Sequence, residues 1–303
     1  MTCRLTIVIP SRSRADLLRR CLASVTRHAP TDSEVLVVDD ASPGETITRA
    51  AAEFARVRVI RLSDRGGFCV AANVGIATSR SPFVELLNDD TQVTAGWADS
   101  ALSRFDEPRV VAVAPLVLQA GVVATIDSAG DDYDLGGFAR KRGHGRSVDA
   151  AAVAGREVFG ASASSAFYRR DALNRVGTFP ISFGAYFEDV DLSFRLRRLG
   201  TIVFEPASVV LHHGGQSYGR VNRRLVEQQS CNEERVFWRN LPREVLRQSL
   251  ARHALVLAAK AARRWREGCL LPWFFGRLQA WREIPASRRH ARDLDALGDL
   301  RPW

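Results

Sequence analysis

Acidic residues end two apolar runs in the first third of this 303-residue chain. The run 82–87 (PFVELL) is followed by Asn-Asp-Asp at 88–90, and the run 34–40 (EVLVVDD) ends in two aspartates. Carboxylate oxygens at the end of a buried strand suit Mg²⁺ or Mn²⁺, which take their remaining ligands from phosphates and water. The same residue types also form good turns, so two solvent-exposed turns are the alternative.

Two more clusters have residue types that could carry chemistry. Residues 188–191 (Glu-Asp-Val-Asp) place three acids at the start of a predicted helix. One of them could act as a general base towards a hydroxyl, or all three could stabilise the helix dipole. His212 and His213 follow an apolar run and precede two glycines, so one could offer a neutral imidazole to a metal, or both could be structural.

A glycine-bearing turn lies between these clusters. Residues 65–67 (Arg-Gly-Gly) and 73–75 (Asn-Val-Gly) surround a predicted strand-to-helix turn, where the backbone can approach a phosphate or a sugar. The turn has neither a GxGxxG nor a GxxxxGK pattern. The sequence therefore supports neither a Rossmann dinucleotide site nor a P-loop.

The hydrophobic pattern predicts an α/β fold that would bring the acids together. In the first 90 residues, apolar runs alternate with helical periodicity: strands at 5–10, 34–40, 57–62 and 82–87, helices at 14–29, 46–55 and 67–78. This alternation predicts a parallel sheet with right-handed crossovers, in which ligands bind beyond the carboxyl ends of the strands. The two acid-tipped strands should then face one crevice.

The second half of the chain is less regular. We predict strands at 110–118 and 122–127, a glycine- and charge-rich loop at 130–146, a helix at 187–198 and a strand from 201. From about residue 221 the pattern is helical, with expected breaks at Pro242, Gly268, Pro272, Gly276 and Pro285.

Charge is distributed unevenly along the chain. Residues 1–219 hold 25 Lys and Arg against 25 Asp and Glu, whereas residues 220–303 hold 18 against 9, so the entire net charge of +9 lies in the last part. This basic, aromatic-bearing segment has three interpretations: packing on the rest of the chain, contact with an anionic membrane surface, and nucleic-acid binding. The last is disfavoured because no recognised nucleic-acid-binding motif accompanies the basic residues.

Composition and cysteine usage suggest a compartment. The five cysteines are widely spaced and form no CxxC pair, which argues for a reducing environment and against a zinc site. The sequence shows neither an N-terminal signal nor a run of 18 uncharged apolar residues. We therefore expect a cytoplasmic protein, at most peripheral on the inner face of a membrane.

The order of the motifs is more specific than any one of them. TIVIPSRSR, EVLVVDDAS, RGGFCVAANVGI, FVELLNDDTQV, FGAYFEDVDLSFRLRRLG and LHHGGQS follow one another over residues 5–220. In this order they resemble the family 2 glycosyltransferases, especially the bacterial branch that adds rhamnose and related sugars to surface polysaccharides. The resemblance implies the GT-A fold, with a nucleotide-sugar half at 1–105, an acceptor half at 106–220 and a basic helical extension at 221–303.

The resemblance also implies roles for single residues. Asp189 would be the catalytic base beside Glu188, and Asp90 would hold Mg²⁺ or Mn²⁺ with His212, or with His213 as the alternative. Asn88 replaces the first acid of the family's DxD motif, and Pro180 stands where the family usually has Asp. The residues implied in donor binding are Pro10, Arg12, Asp39, Asp40, Arg65, Gly67, Asn73 and Asp89.

The implied reaction is transfer of a hexose or deoxyhexose, with inversion, from dTDP-rhamnose or a UDP-sugar to a glycan or polyprenyl-linked glycan. Two other functions compete with it. A nucleotidyltransferase would carry a glycine-rich, lysine-containing loop after the first strand, where this chain has PSRSRADLL. An inactive binding or scaffold protein would be expected to lose Asp90 or Asp189, and both are present.

Overall fold

A computed structural model describes residues 3–122, 124–148, 157–214 and 222–301. A central sheet, flanked by helices, runs in the order β3-β2-β1-β4-β10-β6-β11-β5, with β7 beside β6, and a separate hairpin is formed by β8 and β9. The strands are β1 Leu5–Ser11, β2 Ser33–Asp39, β3 Val57–Arg61, β4 Phe83–Leu87, β5 Thr91–Val93, β6 Val110–Gln119, β7 Ile126–Ser128, β8 Asp131–Asp134, β9 Phe138–Lys141, β10 Ser165–Arg169 and β11 Thr201–His212. The helices are α1 Ala15–His28, α2 Thr46–Ala51, α3 Phe68–Thr78, α4 Trp97–Ser103, α5 Arg170–Val176, α6 Glu188–Leu196, α7 Arg223–Asn240, α8 Arg243–Arg266, α9 Leu270–Arg282 and α10 Ile284–Asp295.

The predicted α/β class is confirmed, and the sheet has two parts. Strands β3, β2, β1 and β4 are parallel, as the alternating pattern predicted. Beyond β4 the sheet is mixed: β10 is antiparallel to both β4 and β6, β6 is parallel to β11, and β5 is antiparallel to β11. The sequence pattern contains no strand signal at β5 or β10. It also indicates a loop at 130–146, where the hairpin β8–β9 forms instead.

Helix α7 shares the core of the preceding α/β part of the chain. Val236 and Phe237 of α7, and Leu241 just after it, belong to the same buried cluster as Tyr133 and Phe194. Helix α7 is also held by ion pairs, such as that between Arg235 and Glu283 at 2.7 Å. The packing interpretation of the basic segment therefore holds for α7.

Two predicted helix breaks are wrong, since both lie inside α9. Pro272 is the third residue of that helix, where the missing N–H has no intrahelical partner to lose. Gly276 is buried where α9 crosses α7, and a Cβ there would lie 2.2 Å from the carbonyl oxygen of Glu227. Gly276 therefore marks a close helix contact.

Among the described residues, no helix is both long and apolar enough to cross a membrane.

Candidate active site

A cavity of about 1080 Å³ lies at the carboxyl end of β4 and is lined by the residues predicted for metal binding and catalysis, but by none of the eight residues implied in donor binding. Asn88 and Asp90 follow β4, Glu188 and Asp189 begin α6, and His212 ends β11; all five line this cavity. The residues predicted for metal binding and for catalysis are therefore brought together from three segments, of which the first and the last are more than 100 residues apart in the chain.

Sheet pairing explains why Asp90 meets His212. Strand β5 starts directly after Asp90 and pairs antiparallel with the end of β11, so that His212 lies opposite Thr91. The backbone N–H of His213 donates to the carbonyl of Asp90 at 2.8 Å. Consequently His212 Nε2 lies 3.2 Å from Asp90 Oδ1, whereas the side chain of His213 turns away and contacts Gln92 Oε1 at 2.7 Å.

Asp127 completes a chain of charges that the sequence did not indicate. Strand β7 pairs with β6, which is itself the neighbour of β11, and this places Asp127 beside His212. Asp127 Oδ2 lies 3.0 Å from His212 Nδ1 and accepts a hydrogen bond of 2.7 Å from Lys141 Nζ. An Asp90–His212–Asp127–Lys141 network therefore runs along the cavity wall.

Asp189 is held towards the start of β10 by backbone donors. Its Oδ2 accepts from the N–H of Ala163 at 3.0 Å, and its Oδ1 accepts from the N–H of Val190 at 2.8 Å. In the same segment, the carbonyl of Ser164 accepts from the N–H of Asn88 at 3.0 Å. The loop before β10 thus ties Asp189 to the end of β4.

Comparison with known proteins identifies the family. The sequence profile named Glycosyl transferase family 2 matches residues 6–177, which is more than half of the chain. The chain belongs to glycosyl transferase family 2. It is a glycosyltransferase, as the order of motifs predicted, and this outcome favours glycosyl transfer over nucleotidyl transfer.

Two relatives of this glycosyltransferase come from Mycobacterium tuberculosis. A "Pre-mycofactocin glycosyltransferase" is 30% identical over 214 residues, which are 68% of this chain and 42% of that protein. An "N-acetylglucosaminyl-diphospho-decaprenol L-rhamnosyltransferase" is 27% identical over 296 residues, 88% of this chain and 96% of that protein. The chain thus spans under half the length of the first relative and nearly all of the second.

Solved structures confirm the GT-A fold of this glycosyltransferase. "Crystal structure of GalNAc-T7 with UDP, GalNAc and Mn2+" matches with a TM-score of 0.61 at 16% identity, over 78% of this chain and 47% of that one. "Mannosyltransferase PcManGT from Pyrobaculum calidifontis in complex with GDP-Man and Mn2+" matches with a TM-score of 0.59 at 17% identity, over 98% and 86%.

The residues implied in donor binding lie at the ends of β1 and β2 and in the turn before α3. Both oxygens of Asp39 accept hydrogen bonds from the chain, including one of 2.8 Å from Arg61. Asp40 accepts from the N–H of Gly66 at 2.6 Å and of Gly67 at 3.2 Å, and its carbonyl accepts from Arg12 at 2.6 Å. Asp40 therefore shapes the turn that leads to Phe68 at the cavity, whereas Asp39 holds the segment that follows β2.

The other implied donor residues differ in how they are placed. Pro10 is buried in β1, and Arg65 is exposed in the turn before α3. Asp89 accepts from Ser11 Oγ at 2.5 Å, and burial raises its pKa to about 6. The side-chain amide of Asn73 donates to the carbonyl of Phe179 at 2.8 Å and accepts from its N–H at 2.9 Å. Asn73 thus fixes the segment next to Pro180.

Burial and like charges set the electrostatics around Asp189. Burial raises the pKa of Asp189, and it raises that of Glu188 with a further contribution from the Asp189 charge. Asp131, at the start of β8, lines the same cavity and also has its pKa raised well above the ordinary value, first by burial and then by Asp189. The carboxyl cluster therefore favours a proton, as expected of a group that must accept one.

The opposite holds at Asp90 and His212. Burial acts against ionisation of Asp90, but contact with His212 lowers its pKa overall. Burial also acts against the charged imidazole, yet the carboxylates of Asp127 and Asp90 raise the pKa of His212 to about 9. The site between these two acids therefore favours a positive charge.

Helix α7 supports the turn before Asp189, a role that sequence reasoning missed. Tyr186 and Phe187 have φ angles of +70° and +67°, which cost conformational energy in residues with a Cβ. The buried amide of Asn232 donates to the carbonyls of residues 183, 185 and 186, at 2.8–3.0 Å. A single Asn among the polar residues of a helical sequence carries no signal that would have predicted this contact.

A divalent ion fits the pair of Asp90 and His212. Asp90 Oδ1 is buried and makes no hydrogen bond to any residue the structure describes, although it lies 3.2 Å from His212 Nε2. That separation is close to the distance of about 3 Å between adjacent ligands of an octahedral ion with bonds of about 2.1 Å. Over the described ranges no group of three or more His, Cys, Asp or Glu is arranged for a metal. Phosphate oxygens and water are the usual further ligands of Mg²⁺ at a site with one or two protein ligands.

Proposed function

We propose that this glycosyltransferase is an inverting, metal-assisted enzyme. It transfers a hexose or deoxyhexose from a nucleotide-diphosphate sugar, dTDP-rhamnose or a UDP-sugar, to a hydroxyl of a glycan or lipid-linked glycan for the cell surface. One observation carries the proposal: Asp90 and His212, whose Oδ1 and Nε2 atoms lie 3.2 Å apart, line the same cavity as Asp189. A charged leaving group and an acceptor hydroxyl can therefore meet in one enclosed space.

Asp90 and His212 would hold Mg²⁺ or Mn²⁺, and the Asp127 carboxylate on His212 Nδ1 would orient the imidazole. When bound, the ion would neutralise the negative charge that develops on the nucleotide diphosphate. The Mn²⁺ in the titles of both structural neighbours supports this assignment.

Asp189 would act as the base in a single displacement. The acceptor oxygen attacks the anomeric carbon, the bond from that carbon to the diphosphate oxygen breaks, and the hydroxyl proton passes to the Asp189 carboxylate. Two backbone N–H groups keep that carboxylate in place. Glu188, buried beside it, would keep the pKa of the cluster high enough for proton transfer.

The ends of β1 and β2 and the turn before α3 would bind the nucleotide. We assign Asp40 and Gly67 to the wall of this pocket, because they shape the turn that leads into the cavity. Asp89 would lie beside the diphosphate. The other members of the set are Pro10, Arg12, Asp39, Arg65 and Asn73.

Asp189→Asn tests this mechanism. We expect turnover to fall by about 10²–10⁴-fold, the usual contribution of a positioned base. Binding of UDP or dTDP with Mn²⁺, measured by titration calorimetry, should be unchanged. The matched control is Asp99→Asn, which removes an exposed carboxylate. If Asp189→Asn retains most of its turnover, Asp189 is not the base; if the wild type binds neither nucleotide, the donor site is wrong.

The acceptor side includes a surface suited to an anionic membrane. The outer face of α8 exposes Leu255 and Trp265, each 73% exposed, and α9 exposes Leu271, Phe274 and Phe275. Residues 245–266 contain six Lys and Arg and no Asp or Glu. Exposed apolar side chains framed by positive charge are typical of helices that lie on anionic lipid. The name of the second relative, with its decaprenol-linked substrate, supports such a location.

Vesicle sedimentation tests this surface. Leu255→Ser with Trp265→Ser should reduce binding to phosphatidylglycerol vesicles by about tenfold or more, since two apolar anchors are lost, each contributing roughly 1–2 kcal/mol. Ile181→Ser, which removes a 65% exposed side chain elsewhere, is the control and should bind like the wild type. Equal binding of all three proteins would contradict a membrane role for α8.

A further inference from the structure

The active-site cavity has a basic wall that the proposed reaction does not use. Lys260 and Arg264, one turn apart on α8, line the cavity with their side chains 27% and 29% exposed, and Arg263 lies at the rim, 76% exposed. Lys260 also lies over the ring of Phe138 at 5.5 Å, so α8 and β9 together form this side of the cavity.

The basic wall keeps an excess of positive charge. Arg263 and Arg264 both bond to one carboxylate, that of Glu267, at 2.7 and 2.6 Å. Lys260 bonds to Glu233, which is also paired with the buried Arg277. The two arginines therefore share a single carboxylate, which an incoming anion with more oxygens could replace. Guanidinium groups bind phosphate oxygens in pairs, and more strongly than a lone ammonium does.

We propose that Lys260, Arg263 and Arg264 bind the diphosphate of a lipid-linked acceptor. This inference rests on the proposed function, in which the donor diphosphate is neutralised at Asp90 and His212. A second cluster of cations in the same cavity then calls for a second anion. On the outer face of the same helix, Leu255 and Trp265 provide an apolar surface for the lipid chain. An amphiphile with its phosphates inside the cavity and its chain on the membrane side fits both faces of α8.

The test compares two double variants that remove the same charge from α8. Arg263→Ala with Arg264→Ala alters the basic wall, and Arg247→Ala with Arg266→Ala removes two exposed arginines that do not line the cavity. Titration calorimetry with monomeric farnesyl diphosphate is done in EDTA, so that a metal cannot bind the probe. Each protein is also measured with phosphatidylglycerol vesicles, and with UDP and dTDP in the presence of Mn²⁺.

We expect the wall variant to bind farnesyl diphosphate about 10- to 100-fold more weakly, as for the loss of two charge-assisted contacts. The control variant should stay within about twofold of the wild type, and nucleotide binding should be unchanged in both. The inference is overturned if the wild type does not bind farnesyl diphosphate in EDTA. It is also overturned if both variants lose the same affinity for farnesyl diphosphate and for vesicles, because α8 would then be a general lipid contact. Failure of nucleotide binding alone would remove the proposed function while the diphosphate subsite remained supported.

Discussion

The two acid-tipped strands, β2 and β4, look alike in sequence and differ in the fold. After β2, Asp39 accepts hydrogen bonds from Ser42, Thr48 and Arg61, so both of its oxygens are engaged by the chain. Asp40 likewise accepts from the N–H groups of the turn before α3. After β4, by contrast, Asp90 Oδ1 is buried without a hydrogen bond to any described residue and lines the cavity.

The difference arises from the segment that succeeds each strand. After β2 the chain turns back on Asp39 within a few residues, and its serine and threonine satisfy the carboxylate locally. After β4 the chain enters β5, whose pairing with β11 brings a histidine to Asp90 from far along the chain. An acid at a strand end thus stabilises the local fold when nearby donors satisfy it, whereas an acid without such donors, such as Asp90, is available for the metal-binding role that we propose.

Replacing Asp90 should give the largest functional effect. Asp90→Asn is expected to lower the rate of transfer by about 10²–10³, since the group that neutralises the leaving diphosphate is weakened. Because the Asp90 carboxylate contacts His212 at 3.2 Å, the free energy of unfolding should also fall, but by less than in Asp39→Asn, whose carboxylate accepts several hydrogen bonds from the chain. Rate assays with added Mn²⁺ and a denaturant titration measure the two quantities, with Asp64→Asn on the exposed loop as control.

Replacing Asp39 should affect stability first. Asp39→Asn should lower the free energy of unfolding by about 3 kcal/mol, because the buried partner of Arg61 loses its charge and several of its hydrogen bonds. Urea denaturation of this variant beside Asp90→Asn makes the comparison direct. Equal free energies of unfolding of the two variants would show that Asp39 and Asp90 contribute equally to stability, which would contradict the comparison.

Glu85, inside β4, extends the comparison to an acid whose hydrogen-bond donors in the described chain are neutral. It is fully buried and accepts from Trp97 Nε1 and Ser165 Oγ, both at 3.0 Å, and burial raises its pKa to about 8. An acid with a raised pKa contributes stability that is complete below its unfolded value, near 4.5, and is lost as the pH rises through about 8.

Between about pH 5 and pH 8.5 the free energy of unfolding of the wild type should therefore fall by about 4 kcal/mol more than that of Glu85→Gln, which stays neutral. Denaturant titrations at several pH values measure this difference. Parallel pH profiles for the two proteins would mean that Glu85 is ionised within the fold.

Prediction from sequence worked where the signals were local. The strands β1 to β4 and the helices between them follow from apolar runs and helical periodicity, and the order of short motifs identified the family. Strands β5 and β10 were missed because each is short and depends on partners far along the chain. The hairpin β8–β9 was predicted as a loop, since its glycines and charges resemble those of a turn region.

Residue types by themselves marked the acids at 88–90 and 188–191 and the pair His212–His213 as candidates, and the resemblance to the family then singled out Asp90, Asp189 and His212. Only the tertiary structure decided which of them keep a hydrogen-bonding position open. In the folded chain, Asp39 bonds to Arg61, and His212 rather than His213 contacts Asp90. Asp127 and Lys141 extend that contact, and Asn232 of α7 supports the turn before Asp189. The residue type determines which functional group is present. Its ionisation and its remaining hydrogen-bonding capacity depend on neighbours that only long-range packing supplies.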